Sequence, residues 1–301
     1  MKINKIAIAC FKKDLYLLRP CIASIRYWYP DIEIFLIKDL IAGDFSTKEF
    51  EKYFNVKIFE TDMKYFGWPW SKLSVIFDSK KDRYLFLDSD IVLVGKVVDF
   101  LNQFNDDFIV TGIEEKDEKA SLVTRDYIDI EKIKTFDPQF KYPGFGFNGG
   151  QIVMTSGMLS KNDFERVIDF SSTISNKFPH IFKHGDQGIL NYVFAKCKDA
   201  GKISVRYVNF WVWPNMPQAQ ELELENIKNK TGYPLVLHWA GAKPVQFNKY
   251  HRFDILMFYE KLYYQQAPFG FIKRYKRKLS HNIVSFIKIC KYKLFRMDYV
   301  K

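Results

Sequence analysis

Residues 83–94 read RYLFLDSDIVLV, an apolar run that two carboxylates interrupt, and this run indicates the class of fold. Alternation along a strand places Asp88 and Asp90 on one face, at the point where the strand is about to end. Two carboxylates at one edge repel each other unless a cation lies between them, and hard oxygen ligands suit magnesium or manganese. Ligands bind at the carboxyl ends of strands in open α/β sheets. The run therefore predicts a metal site that holds a diphosphate. The alternative is that the two aspartates only cap the next helix.

The segments on either side of this run alternate between strand-like and helix-like patterns. Lys5–Phe11 is typical of a buried strand, residues 20–29 predict a helix with Pro20 in its first turn, and residues 32–37 predict the next strand. Further strands are predicted within 108–112, 145–156, 203–212 and 234–239, and further helices at 68–78, 97–104, 161–170, 187–196 and 253–264. Residues 114–137 are charged and weakly patterned, and they predict an irregular loop. The alternation predicts an α/β sheet with a largely parallel half.

The composition is that of a folded globular protein, with 48% hydrophobic and 27% charged residues. No stretch approaches the roughly eighteen uninterrupted apolar residues that span a bilayer, so an integral membrane protein is not expected. The first apolar run is too brief for a secretory signal and fits a strand instead. The four cysteines, at positions 10, 21, 197 and 290, form no CxxC pair. Neither a zinc site nor a disulfide framework is therefore expected, and the chain is predicted to be cytoplasmic.

Positive charge is concentrated near the end of the chain. Residues 271–301 contain ten lysines and arginines and one acid, which gives a net +9 of the chain's total of +11. On a helix over residues 281–297, one apolar face would contain Ile283, Phe286, Ile287, Cys290, Leu294 and Met297. A cationic amphipathic helix lies on anionic lipid, so this segment predicts peripheral binding to the inner face of the cell membrane. A solvated helix packed on the body is the alternative, and nucleic acid is not a predicted partner because no nucleic-acid motif accompanies the charge.

A second motif, LHWAGAKP at residues 237–244, contains a histidine, a glycine and a lysine. His238 could complete the coordination of a metal ion, because manganese in particular accepts an imidazole beside oxygen ligands. Gly241 lets the backbone approach a phosphate, and Lys243 can neutralise one. The alternative is a buried histidine followed by an ordinary turn.

Three shorter motifs are each ambiguous when taken alone. FNGG at residues 147–150 allows either close contact with a ligand or a plain turn before a strand. Asp186 and Gln187 open a predicted helix, where a carboxylate and an amide can bind sugar hydroxyls or the aspartate can cap the helix. Lys72 precedes the run at 83–94 and could either reach a phosphate or be a solvated surface lysine.

The order of these motifs, DxD after an apolar strand, then FNGG, DQ and HxxGxxKP, resembles glycosyltransferase family 8. That family includes glycogenin and bacterial lipopolysaccharide glucosyl- and galactosyltransferases, and the resemblance covers about residues 5–244. It implies a GT-A fold, with a Rossmann-like nucleotide-binding half and a central mixed sheet. The basic helical tail beyond this region is predicted from its charge and its apolar face. The expected division is a catalytic domain at 1–250, with halves at about 1–105 and 106–250, and a helical, basic, membrane-associating segment at 251–301.

The resemblance also implies roles for individual residues. The metal ligands would be Asp88, Asp90 and His238, for Mn²⁺ with Mg²⁺ as a second possibility. The nucleotide-sugar contacts would be Phe11, Lys72, Asp88, Ser89, Asn148, Gly149, Gly241 and Lys243. Asp186 resembles a residue that holds the donor sugar, and Gln187 matches the residue beneath the anomeric carbon. The chain departs from the family pattern at residues 10–14, CFKKD, where the family has an acidic or amidic stretch and where Phe11 could stack on a base. It departs again at Val245, which stands in place of a tryptophan.

The function implied is a metal-dependent glycosyltransferase that moves a hexose from a UDP-sugar with retention of anomeric configuration. The acceptor would be a glycan or lipid-linked glycan, as in lipopolysaccharide or surface polysaccharide synthesis. Gln187 is neutral and a poor nucleophile, which favours attack from the same face, guided by the leaving phosphate. An inverting transferase with Asp186 as general base and a catalytically silent domain that binds glycan or membrane are the alternatives. A nucleotidyltransferase is disfavoured because residues 9–14 contain no glycine.

Overall fold

The computed structural model describes residues 1–61, 67–117, 121–171, 173–241, 243–244 and 246–297. Ala242 of the HxxGxxKP element, Val245, and residues 298–301 of the predicted tail lie outside the described residues. The chain is built from short strands and helices around mixed sheets, which confirms the predicted α/β class.

The elements alternate along most of the chain. The strands are β1 (Lys5–Phe11), β2 (Glu33–Asp39), β3 (Val56–Ile58), β4 (Arg83–Asp88), β5 (Ile91–Leu93), β6 (Phe108–Val110), β7 (Gly112–Glu114), β8 (Phe145–Phe147), β9 (Gln151–Thr155), β10 (Ile168–Asp169), β11 (Ser175–Asn176), β12 (Val205–Tyr207), β13 (Trp211–Val212) and β14 (Val236–His238). The helices are α1 (Leu15–Trp28), α2 (Lys48–Phe54), α3 (Leu73–Ile76), α4 (Val97–Leu101), α5 (Ser121–Asp126), α6 (Ile130–Phe136), α7 (Asp186–Asp199), α8 (Pro217–Gln220), α9 (Leu224–Lys228), α10 (Phe253–Gln266) and α11 (Gly270–Met297).

A seven-stranded sheet in the order β12-β6-β9-β4-β1-β2-β3 forms the centre of the fold. The half that contains β3, β2, β1 and β4 is parallel, and β9 runs antiparallel between β4 and β6. In this register Phe11 of β1 lies beside Asp39 of β2, and Ala9 of β1 lies beside Asp88 of β4. The carboxyl ends of three parallel strands therefore meet at one edge of the sheet, which is where ligands bind in such folds.

The run at residues 83–94 forms two strands and not one. β4 ends at Asp88, the chain turns, and β5 joins a second sheet of order β13-β14-β5. The antiparallel pairing of β5 with β14 places His238 next to this turn. The backbone N–H of Trp239 donates to the carbonyl of Asp90 over 3.1 Å, which fixes the turn against the end of β14. The interrupted strand thus brings the two strongest sequence motifs together.

Both faces of the large sheet are covered by helices. Ile6 and Ile8 of β1 belong to an apolar cluster that includes residues of α1 and α10. Ala7 and Ala9, on the opposite face, belong to a second cluster that includes residues of α5, α6 and α7. Burial on both faces explains why the parallel strands are nearly continuous apolar runs. It also leaves the carboxyl edge of the sheet as the place for a site.

The first predicted helix begins earlier than expected. Residues 20–29 predict a helix that starts at Pro20, but α1 begins at Leu15 and contains Pro20 in its interior. A 3₁₀ turn at Lys12–Asp14 leads directly into the helix, and Leu17 and Leu18 are buried against the core. Burial of these leucines offsets the backbone hydrogen bond that the proline removes.

Three other segments differ from the predictions. The predicted loop at 114–137 contains α5 and α6, because one or two apolar side chains per turn are enough to anchor short helices, as with Ile130 and Ile133. The predicted helix at 161–170 is a 3₁₀ turn at Lys161–Asp163 followed by β10, which pairs with β11. The predicted helix at 68–78 is a 3₁₀ turn at Trp68–Trp70 followed by the single-turn α3.

The predicted tail helix is longer than residues 281–297, because α11 spans Gly270–Met297. Its first turns pack on the body: Arg274 Nε lies 3.0 Å from Glu260 Oε2, and Arg277 also pairs with Glu260. Gln246 donates to Asn282 Oδ1 over 2.9 Å, which ties α11 to the chain that follows Pro244. Within the described part of the chain, no helix combines the length and apolarity needed to cross a bilayer.

Candidate active site

The turn between β4 and β5 forms one wall of the site. One oxygen from each of Asp88 and Asp90 and one ring nitrogen of His238 lie within 4.8 Å of one another. Asp90 and His238 are almost fully buried, and His238 Nε2 lies 3.4 Å from Asp90 Oδ1. Two carboxylates and an imidazole form a donor set that suits a divalent cation such as Mn²⁺ or Mg²⁺.

Two further observations test whether these residues fit a metal ion. His238 Nδ1 is buried without a hydrogen-bond partner among the described residues, so the imidazole has unused capacity. A Cβ on Gly150 would lie 2.5 Å from His238 Cε1 and 2.8 Å from Asp88 Oδ2, so only glycine permits this convergence. The residues present therefore fit a divalent cation.

The electrostatics of the turn favour a cation as well. Burial raises the pKa of Asp88 to about 6, although Lys72 acts in the opposite direction. Burial would also raise the pKa of Asp90, but His238 and Lys243 hold that pKa below its ordinary value. Desolvation disfavours carboxylates that lack a cation, so the pair is poised to accept positive charge.

Lys243 supplies positive charge beside the turn. Its Nζ lies 2.9 Å from Asp90 Oδ2 and 3.1 Å from Asp14 Oδ2. These two carboxylates raise the pKa of Lys243 although burial lowers it. Gly241 has a φ of +88°, a conformation that glycine adopts without strain, and it leads the chain from His238 toward Lys243.

A second charged pair lies across the site. Lys72 forms an ion pair with Asp186, and both side chains are 2% exposed, so Lys72 is not a solvated surface lysine. Asp186 lies in the first turn of α7, but the N-cap residue is Gly185, so Asp186 is not the helix cap. A Cβ on Gly149 would lie 2.9 Å from both Asp186 Oδ2 and Lys72 Nζ. The glycine therefore allows the backbone to contact the pair.

The FNGG turn connects the two sides. The backbone N–H of Gly149 donates to Gln187 Oε1 over 3.0 Å, and that of Gly150 donates to Asn148 Oδ1 over 2.7 Å. The carbonyl of Gly150 accepts from the N–H of Asp88 over 2.7 Å, which joins the turn to the end of β4. The amide side chains of Asn148 and Gln187 are thus held in place by the backbone of the turn.

These groups surround one cavity of about 480 Å³. Its lining includes all the predicted site residues, Phe11, Lys72, Asp88, Ser89, Asp90, Asn148, Gly149, Asp186, Gln187, Gly241, Lys243 and His238. Residues that are up to 232 positions apart in the chain, Phe11 and Lys243, therefore converge. The arrangement can hold a cation at one wall and polar or anionic groups beside it. The roles of individual residues stay predictions.

The cavity also contains polar residues to which the sequence motifs assigned no role, notably Asp14, Asp39 and His184. Asp39 ends β2 as Asp88 ends β4, so its position after an apolar strand was an available signal. His184 has a φ of +52° and begins the HGDQ segment that leads into α7. Asp14 is the most informative of the three, because it contacts Lys243.

The Asp-Ser-Asp turn at the edge of the parallel half-sheet faces a histidine at the end of β14 and a lysine from the loop that follows, an arrangement typical of the GT-A fold. The sequence model of the family described as "Glycosyl transferase family 8" matches residues 46–246, which is more than half of the chain. The chain therefore belongs to glycosyl transferase family 8, and the predicted family and GT-A fold are confirmed.

The individual proteins that this chain resembles share low sequence identity with it. Glycosyltransferase GlyB of Streptococcus pneumoniae serotype 4 (strain ATCC BAA-334 / TIGR4) is 26% identical over 224 residues, which is 69% of this chain and 48% of GlyB. The chain thus spans about half the length of this curated relative. The apo structure of the bifunctional glycosyltransferase WbbM has a TM-score of 0.57 at 16% identity, over 92% of this chain and 52% of WbbM. The galactosyltransferase LgtC, solved with donor and acceptor sugar analogues, also has a TM-score of 0.57 at 16% identity, over 88% of this chain and 96% of LgtC. At these identities the structures share the fold.

Proposed function

We propose that this chain is a retaining glycosyltransferase that uses a divalent metal ion to transfer a hexose from a UDP-sugar to a glycan or lipid-linked glycan. The observation that carries the proposal is the convergence of Asp88, Asp90 and His238 within 4.8 Å, beside Lys243, at the edge of the parallel half-sheet. A nucleotide-sugar leaves a diphosphate, and a site that catalyses its departure has to neutralise the developing negative charge.

The proposed donor site has two parts. Asp88, Asp90 and His238 would hold Mn²⁺, or Mg²⁺, which when bound neutralises charge on the leaving diphosphate. Lys243 adds a positive charge from the protein itself. It lies in the loop after β14 and contacts Asp90, one of the proposed metal ligands. Phe11, at the end of β1, lines the cavity and offers an aromatic face for a base.

The other part of the cavity would hold the sugar. Asn148, Asp186 and Gln187 present amide and carboxylate groups that can hydrogen-bond hydroxyls. Gln187 is neutral, and its Oε1 accepts from Gly149, so its side chain is fixed and is a poor nucleophile. This favours attack by the acceptor hydroxyl on the face from which the diphosphate leaves.

The inverting alternative requires Asp186 to accept a proton from the acceptor. Its carboxylate forms a buried ion pair with Lys72, and protonation would leave that ammonium buried without its partner. The geometry therefore favours a structural and sugar-binding role for Asp186. The anomeric configuration of the product, determined by NMR, separates the two mechanisms.

The first experiment is thermal unfolding against a panel of nucleotides and nucleotide-sugars, with Mn²⁺ and then with EDTA. A ligand at about a hundred times its Kd adds about 2.7 kcal/mol to the free energy of unfolding. We expect stabilisation by one UDP-sugar, and only when Mn²⁺ is present. If no nucleotide shifted the unfolding midpoint with or without metal, the donor site proposed here would be wrong and a silent binding domain would replace it.

We also propose that α11 binds the inner face of an anionic membrane, which would place the transferase beside a lipid-linked acceptor. The apolar side chains of Ile283, Phe286 and Ile287 are 47–67% exposed. Lys273, Arg274 and Arg277 pair with glutamates of the body. Contact with lipid headgroups therefore falls to Lys276 and Lys278, which are exposed, and to the basic residues farther along the tail.

Sedimentation with vesicles that contain phosphatidylglycerol tests this proposal. A chain that lacks residues 283–301 keeps the ion pairs on the body, so its loss of sedimentation would reflect lost membrane contact and not unfolding. The full chain with Phe286→Ser and Ile287→Ser should sediment less, because these exposed apolar side chains would insert between lipids. Unchanged sedimentation of both variants would remove the membrane role of the tail.

A further inference from the structure

Lys243 is shared between two carboxylates that belong to different parts of the chain. Its Nζ lies 2.9 Å from Asp90 Oδ2 and 3.1 Å from Asp14 Oδ2. Asp90 is one of the proposed metal ligands, so the ammonium group occupies an oxygen of the proposed metal site. Lys243 and a divalent cation therefore compete for the same carboxylate.

Asp14 has a position from which an aspartate ordinarily caps a helix. It directly precedes α1, yet its side chain makes no capping hydrogen bond to that helix. Its carboxylate is 13% exposed, lines the cavity and contacts Lys243, which is 229 positions away. Burial of a carboxylate is unfavourable unless a partner compensates, and here the partner is the lysine.

We infer that Asp14 is a positioning residue that takes over the ammonium group of Lys243 when a metal ion occupies Asp90. This inference rests on the proposed metal-dependent function. Without Asp14, Lys243 has Asp90 as its remaining carboxylate partner among the described contacts. A metal ion that binds Asp90 then has to displace the ammonium group of Lys243, which has no second carboxylate to pair with. With Asp14 present, the lysine keeps an ion pair and stays at the cavity wall, where it can contact a diphosphate.

The test is a titration of the full chain with Mn²⁺ alone, in which electron paramagnetic resonance measures free Mn²⁺. The proteins are the wild type, Asp14→Asn, Lys243→Met and the double variant. We expect Asp14→Asn to weaken Mn²⁺ binding about tenfold when Lys243 is present and to have little effect when Lys243 is methionine, because contacting residues couple by this order of magnitude. Lys243→Met should itself tighten binding, since the competitor is gone.

The inference depends on whether the effects of Asp14→Asn and Lys243→Met on Mn²⁺ affinity are non-additive. A simple loss of negative charge near the metal would weaken binding equally in both backgrounds, and that result would overturn the inference, as would an Asp14→Asn chain that binds Mn²⁺ like the wild type. Asp82→Asn is the matched control, since Asp82 pairs with Lys5 over 2.5 Å at the opposite edge of the same sheet, and it should leave Mn²⁺ binding unchanged.

Two further outcomes are distinguishable. A wild-type chain that binds no Mn²⁺ overturns the proposed metal site, and the role of Asp14 falls with it. If Asp14→Asn does not fold, the Lys243→Met variant alone tests the inference. If this variant bound Mn²⁺ no more tightly than the wild type, the lysine would not compete for Asp90 and the inference would be overturned. Asp14→Glu, which keeps the charge, should restore most of the affinity that Asp14→Asn loses.

Discussion

Two regions of this protein bury several charged side chains, and the charges are arranged differently in the two regions. One is the cavity at the edge of the sheet, with the Lys72–Asp186 pair and the cluster of Asp14, Asp90 and Lys243. The other is the tail junction, formed by Glu49, Glu260, Lys273, Arg274 and Arg277, where α11 meets the body. Glu260 is fully buried there, although it is a carboxylate.

What differs is whether the charges face a space or face one another. At the tail junction both arginines contact Glu260, and the Arg277 guanidinium also stacks over Phe247 at 4.4 Å. In the cavity the charged groups surround an open space of about 480 Å³. Burial of charge alone therefore does not indicate a functional site, whereas burial of charge around an accessible space does.

The largest effect that separates the two regions should come from Asp90→Ala. We expect kcat to fall by about a thousandfold or more, because the variant removes both a proposed metal ligand and a partner of Lys243. The measurement is the initial rate of sugar transfer with saturating Mn²⁺, together with the thermal unfolding midpoint. Asp254→Ala, which removes the surface partner of Arg252, is the control that should retain the wild-type rate. Normal turnover by Asp90→Ala would mean that the metal site has been assigned to the wrong residues.

The tail junction should respond to substitution in stability instead of catalysis. Glu260→Gln leaves Arg274 and Arg277 without their carboxylate, and we expect a loss of about 3 kcal/mol in the free energy of unfolding, as for other broken buried ion pairs. The rate per folded molecule should be unchanged at low temperature. Urea unfolding and initial rates on the same preparation measure both quantities. A rate that fell as far as in Asp90→Ala would show that the two regions are not independent.

The motifs that converge on the cavity are visible in the sequence because their signals are local. Asp88 and Asp90 interrupt an apolar strand, and a polar interruption at a strand end is visible without knowledge of the rest of the fold. His238 and Lys243 are recognisable by their spacing to Gly241, which reflects a loop geometry within one short segment. The GT-A fold was predicted from the resemblance of these motifs, in their order along the chain, to glycosyltransferase family 8.

The features that the sequence did not predict depend on distant contacts. Asp14 acquires its environment from Lys243, far along the chain, and nothing in its neighbours indicates that it faces a cavity instead of capping α1. The tail charges give a similar lesson, because Arg274 and Arg277 resemble the other basic residues of the segment until Glu260 is placed opposite them. Short helices such as α5 and α6 were missed because their few buried residues give no clear periodicity.

A double substitution sharpens the comparison by separating stability from function inside the cavity. Lys72→Met with Asp186→Leu replaces a buried ion pair by apolar side chains, a change that is often neutral or stabilising by about 1–4 kcal/mol. We expect the free energy of unfolding to be unchanged or higher, while transfer falls about a hundredfold because polar contacts to the donor are lost. If the double variant transferred sugar at the wild-type rate, the Lys72–Asp186 pair would be structural, like the pairs of the tail junction.

The smallest expected effect concerns Glu49 and the pH dependence of the tail junction. Burial would raise its pKa, but Lys273 and the Tyr263 hydroxyl, which donates to Glu49 over 2.6 Å, bring it below the ordinary value of 4.5. A carboxyl whose pKa is lower in the folded state stabilises the fold at neutral pH, and that contribution disappears as the pH falls below about 4.5 through the folded pKa. Because Lys273 is 38% exposed, we expect Glu49→Gln to lower the free energy of unfolding by no more than about 1 kcal/mol near neutral pH. Urea unfolding of wild type and Glu49→Gln should show this difference shrinking toward zero in acid, and a difference that grew in acid would mean that Glu49 is stabilised in its protonated form.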